Sequence, residues 1–83
     1  MSTEPTTEPP VPEVVDARGL RCPLPVIRLA ARAKGLGPGT LVTVLSTDPA
    51  ARHDVPAWAR MRGHEMVSDE ETDGTWTLTV RLR

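Results

Sequence analysis

The octapeptide GLRCPLPV, Gly19 to Val26, holds the only cysteine of the chain, set between Arg21 and Pro23 with Pro25 two residues further on. A thiol that merely fills a core needs no such neighbours. A proline after Cys22 disfavours the α region for Cys22 itself, and that non-helical conformation is the one a helix N-cap adopts. Pro23 then falls at the first helical position and Pro25 at the third, where a missing N–H costs little because the first N–H groups of a helix have no partner. The spacing therefore predicts Cys22 at the cap of a helix that runs to about Lys34 and ends at Gly35. Unpaired N–H groups at such an end favour an anion. Cysteines at helix N-termini or beside Lys and Arg titrate at roughly 3.5–7.5 instead of about 8.5. Arg21 is adjacent, and Arg18 and Arg28 are within reach. Leu24 and Val26 keep N–H donors that can point at the sulfur. The expectation is a stiff, exposed, electropositive thiol suited to nucleophilic or sulfur-carrying work.

Such a cap must be held by neighbouring elements. Glu13 to Ala17 reads as a short strand, and Thr40 to Ser46, dense in β-branched residues, as a second. Val26, Ile27, Ala30 and Ala33 give the helix between them an inward stripe, while Arg28 and Arg32 share another side. Asp48-Pro49 starts a further helical segment. Pro56 sits too deep for a regular helix begun at Pro49, so Asp54 is expected to recap the chain. A helix then runs from about Val55 to Arg62, with Trp58 and Met61 as its apolar side and Gly63 as its stop. Two strands follow, joined at Asp73-Gly74, a strong hairpin signal. In the last, Trp76, Leu78, Val80 and Leu82 alternate with Thr75, Thr77, Thr79 and Arg81, as in a sheet covered on one side and wet on the other. The predicted fold is α/β: a two-layer βαβαββ sandwich, a four-stranded mixed sheet with both helices on one face. A β-α-β crossover makes the first two strands parallel. Both helices then start at their carboxyl edge, where ligand sites cluster in open α/β sheets. Cys22 and the segment Asp48, Arg52, His53 should thus be neighbours.

Composition narrows the function. With 83 residues the chain makes one domain, residues 13–83, preceded by a Pro/Thr/Glu-rich segment, residues 1–12, expected to be a disordered tail. A formal net charge of -1, two Trp and no Phe or Tyr argue against direct nucleic-acid binding by base stacking. A single cysteine makes no internal disulfide. No apolar run reaches the roughly 18 residues of a membrane span. The first residues show neither the basic nor the apolar region of a signal peptide. A reducing, cytoplasmic setting is expected.

"DARGLRCPLPV", Asp16 to Val26, resembles the signature of the TusA-like (SirA-like) sulfur-carrier proteins, with Cys-Pro-x-Pro at the first helix. "DPAARHDVP", Asp48 to Pro56, is similar to the family's second signature, Asp-Pro followed by Asp-Ile/Val-Pro. The resemblance covers about Val14 to the C-terminus. It implies that Cys22 bears sulfane sulfur as a persulfide, taken from a cysteine desulfurase or rhodanese-type donor and passed to a downstream acceptor protein. It also implies a sulfurtransferase-type relay, with no organic cofactor, rather than a stand-alone enzyme. His53 departs from the pattern, standing where a permanently charged basic residue is expected.

Other residues take blander readings. One cysteine with scattered histidines lacks metal-ligand spacing, so no metal is expected, and His53 and His64 read as surface residues. "GLGPGT" runs from helix to strand, opposite to a phosphate loop. Asp16 and Asp48 read as strand-end and cap residues. Two rival functions remain: a regulatory or adaptor module that binds a protein or RNA partner with Cys22 incidental, and a thiol-redox protein, weakened by the absence of a second cysteine.

Overall fold

The computed structural model describes residues 11–83, so the first ten positions of the expected tail lie outside the described residues. Four strands and two helices follow one another: β1 (Glu13–Ala17), α1 (Leu24–Ala33), β2 (Leu41–Ser46), α2 (Ala51–Arg62), β3 (Glu65–Thr72) and β4 (Thr75–Arg81). They form one sheet in the order β1-β2-β4-β3. β1 and β2 are parallel, with Val15 opposite Val44, and β4 pairs antiparallel with β2 and with β3. Each helix packs on the other and on the sheet, α1 over β1 and β2, α2 over β3 and β4. This is the two-layer βαβαββ sandwich expected.

The core lies between the layers. Val15 and Ala17, Val42 and Val44, and Leu78 and Val80 point from alternate strand positions toward Leu29 of α1 and Ala51, Val55, Trp58 and Ala59 of α2. On the opposite face Thr43 and Thr79 share a hydrogen bond of 2.8 Å between their Oγ1 atoms, a satisfied polar pair across β2 and β4.

Several local expectations shift. α1 begins at Leu24, one residue late, with Pro23 as its N-cap (φ -97°, ψ 12°) and Pro25 inside the first turn. The cause is a tight turn in which the Leu24 N–H donates to the Arg21 carbonyl at 2.8 Å, pulling Cys22 and Pro23 out of the helix. The buried stripe of α1 is Pro25 and Leu29, flanked by partly buried Val26, Ala30 and Ala33, whereas Ile27 is 54% exposed. α2 is continuous from Ala51 and contains Pro56, so Asp54 does not recap it. The proline removes one N–H whose partner would be the carbonyl of exposed Arg52, which water can satisfy. Its buried residues Ala51, Val55, Trp58 and Ala59 follow helical spacing from that earlier start. This phase leaves Met61 77% exposed rather than inward.

The ends are as the punctuation suggests. Gly63 closes α2 with φ 76°, and the His64 N–H reaches back to the Ala59 carbonyl at 2.7 Å while that of Gly63 reaches Arg60. Asp73 and Gly74 both have positive φ, the backbone a two-residue hairpin needs. A bulge at Val67 sets Ser68 opposite Thr79 and Asp69 opposite Leu78, so Met66 and Asp69 both project toward the helices.

Candidate functional site

The parallel pairing of β1 and β2 brings the two strand-to-helix loops together at one edge of the sheet. Gly19 N–H donates to Thr47 Oγ1 at 2.8 Å, and Cys22 N–H donates to Asp48 Oδ2 at 2.7 Å. The other oxygen of Asp48 accepts the Ala50 N–H at 3.0 Å, and the Ser46 hydroxyl accepts the Asp48 N–H at 3.1 Å. One carboxylate therefore ties the cysteine loop to the start of α2. These hydrogen bonds from Cys22 and Ala50, helped by the nearby Arg21 charge, hold the Asp48 carboxyl below its ordinary pKa. The expected proximity of Cys22 to the Asp48 segment is thus observed, with Asp48 serving both as turn cap and as anchor.

Cys22 is exposed. It stands at an open groove of about 310 Å³ between α1 and α2, lined by Cys22, Pro23, Val26, Asp54, Ala57, Trp58 and Met61. The walls are apolar apart from the thiol and the Asp54 carboxylate.

The thiol's electrostatics run against the expectation. Its pKa is raised, first by hydrogen bonding to the Asp54 side chain, then by partial desolvation and by the negative charges of Asp54 and Asp48. Two of the expected sources of positive potential, the Leu24 N–H and Arg18, are engaged elsewhere. Of the two N–H donors expected to face the sulfur, that of Leu24 is used by the Arg21 carbonyl; that of Ile27 is used by Pro23, and Pro25 has none. Arg18 grips Asp16 with two side-chain bonds, Nε to Oδ1 at 2.9 Å and a terminal nitrogen to Oδ2 at 2.7 Å. That hydrogen bonding lowers the Asp16 pKa to about 2. Arg28 lies beside Val14, Val15 and Asp16 on the outer side of α1.

The remaining candidates separate. Pro23 and the Val26 side chain share the groove with Cys22, while Arg52 and His53 do not line it. Arg52 instead approaches Asp69 at 3.9 Å and lies over the Trp76 ring at 5.1 Å. His53 is exposed on the first turn of α2. His64 lies beside Trp58, ring centroids 5.0 Å apart, and its Nδ1 accepts the Arg83 N–H at 3.0 Å. No group of three or more His, Cys, Asp or Glu is placed to hold a metal among the described residues. Asp54 is the site residue that reading the chain assigned to a cap. The signal available was its place in the second motif, Asp54-Val55-Pro56, one helical turn before Ala57 and Trp58 of the same wall.

Fold and site together define a small two-layer α/β domain with one reachable thiol where its two strand-to-helix loops meet. The chain belongs to the TusA family: the family model described as Sulfurtransferase TusA matches residues 13–82. It is 42% identical over 74 residues to the sulfur carrier protein TusA of Pseudomonas paraeruginosa, covering 89% of this chain and 94% of that one. To the sulfur carrier protein TusA of Pseudomonas fluorescens it is 40% identical over 74 residues, covering 89% of each. The crystal structure of a SirA-like protein from Desulfitobacterium hafniense superposes with a TM-score of 0.75 at 33% identity, over 82% of this chain and 93% of that chain.

Proposed function

We propose that this protein is a sulfur carrier that takes up sulfane sulfur as a persulfide on Cys22 and hands it to an acceptor protein. The observation that carries this reading is the exposed Cys22 thiol at the mouth of an apolar groove. It gains support from the relatives named sulfur carrier proteins, similar along nearly their whole length.

The chemistry is an exchange without net oxidation. The Cys22 thiol loses its proton to solvent, and the thiolate attacks the outer sulfur of a donor persulfide. The donor's S–S bond breaks, its electron pair stays on the donor sulfur, and that sulfur takes up a proton. A thiol and a persulfide become a persulfide and a thiol. Delivery repeats the step with the acceptor's thiolate attacking the outer sulfur on Cys22. The groove leaves an open line to that sulfur, and its walls offer apolar contact to a docking chain. A cysteine desulfurase or a rhodanese-type protein suits the donor role, a thiol-bearing protein suits the acceptor, and a reducing cytoplasm keeps the free thiol available.

The test is an intact-mass measurement after incubation with a cysteine desulfurase and cysteine without reductant. The expected result is an increment of one sulfur atom on the wild type and none on Cys22→Ala. No increment with desulfurase or rhodanese donors would overturn the reading.

A further inference from the structure

The groove beside Cys22 carries one charged side chain, Asp54, in an otherwise apolar wall of Pro23, Val26, Ala57, Trp58 and Met61. A second carboxylate, Asp48, holds the Cys22 N–H from the β2–α2 loop. The charged groups near the thiol are thus Asp54 from α2 and Asp48 from the loop before it, with Arg21 beside Asp48. A carboxylate placed there opposes the anion on which the exchange depends. We infer that Asp54, sharing the groove with the Cys22 thiol, is a positioning residue whose charge opposes the thiolate in the free protein, and that a protein donor relieves this by docking a cationic side chain against it.

This rests on the carrier reading and specifies how its site is controlled. Asp54 and Cys22 line the same groove, and the thiol pKa is raised, as a carboxylate beside it requires. The strength of the control follows from two opposed effects. Each unit of raised pKa cuts the thiolate fraction at neutral pH about tenfold. The thiolate that does form is more nucleophilic by about threefold, for a Brønsted coefficient near 0.4–0.5, so the net cost is about three- to fourfold per unit. A free carrier is then slow toward adventitious electrophiles, and a donor with a Lys or Arg beside its persulfide recovers the lost rate. Such a cation meets the Asp54 carboxylate in an otherwise apolar groove, and docking, by excluding water, strengthens their attraction.

The experiment compares wild type with Asp54→Asn, which keeps the side chain's shape and removes its charge. Three readings are taken: the pH midpoint of Cys22 alkylation, the rate of sulfur uptake from inorganic polysulfide, and the salt dependence of uptake from a cysteine desulfurase. The expected results are a lower midpoint in D54N, polysulfide uptake faster by about three- to fourfold for each unit of that shift, and desulfurase uptake less sensitive to salt. High salt alone should also lower the wild-type midpoint, because the carboxylates are half-exposed and so within reach of screening ions; this reading needs no variant to fold. Equal midpoints in wild type and D54N, or a wild-type midpoint at or below that of a free model thiol, would overturn the inference. Desulfurase loading equally salt-sensitive in both would overturn the cationic docking. Absence of any sulfur increment would instead overturn the carrier reading, since alkylation still reports the bare thiol.

Discussion

At the scale of single residues, Cys22 and Asp48 show how a site can be read in part from its neighbours in sequence. The prolines on either side of Leu24 announced a restricted, exposed cysteine, and the Asp-Pro pair announced a second loop at the same edge. Both readings hold, because they depend on local backbone preferences and on one topological rule. The ionisation of the thiol was not legible, because Asp54 reaches it only through the packing of α2 against α1. Asp48 bears two backbone N–H groups from different loops. Replacing Asp48 by Ala removes both acceptors at once. Amide hydrogen exchange at Cys22 and Ala50 should rise at least roughly tenfold, given the strength of hydrogen bonds to charged groups, while amides of β4 stay protected. Unchanged exchange at Cys22 would show that this carboxylate does not hold the loop.

At the scale of elements, type and order were legible and phase was not. The β-branched run of β2, the alternation of β4 and the Asp73-Gly74 turn each carry their own period. The helices do not, since their buried faces depend on where each begins. A start one residue late put Leu29, not Ile27, at the centre of α1. A start at Ala51, with Pro56 absorbed into the helix, put Val55 inward and Met61 outward. Gly63 is one point where glycine's backbone freedom is used. Its φ of 76° is left-handed, and a Cβ there would meet nothing within 4 Å, so any cost of Gly63→Ala comes from the backbone alone. That cost is about 1–2 kcal/mol for an L-residue in this region. Urea denaturation should show a lower midpoint with an unchanged slope. Gly37→Ala, where φ is not left-handed and the space is equally open, should change the midpoint little.

At the scale of the whole molecule, carboxylates set the response to acid. Hydrogen bonding to the Arg18 side chain lowers Asp16 from 3.8 to about 2. Asp48 is lowered by the Cys22 and Ala50 amides, and Glu65 by Arg83 and Arg81. A depressed carboxylate stabilises the fold above its unfolded pKa and ceases to do so as pH falls through its folded one. Stability should therefore hold above about pH 5 and decline toward pH 2, a window set by the ordinary value of Glu65 and the lowered one of Asp16. Denaturant midpoints measured across that range test this, and Asp16→Asn should flatten part of the decline. A constant midpoint down to pH 2 would exclude it. No helix among the described residues is long and apolar enough to cross a membrane.

The irregular outer strand has its own consequence. β3 closes one side of the sheet with Glu65, Asp69, Glu70 and Glu71 along its length and a displaced Val67 in its ladder. A row of like charges and a broken hydrogen-bond register make a poor template for any foreign strand. Along that border the protein is therefore a poor seed for strand-by-strand stacking into fibrils.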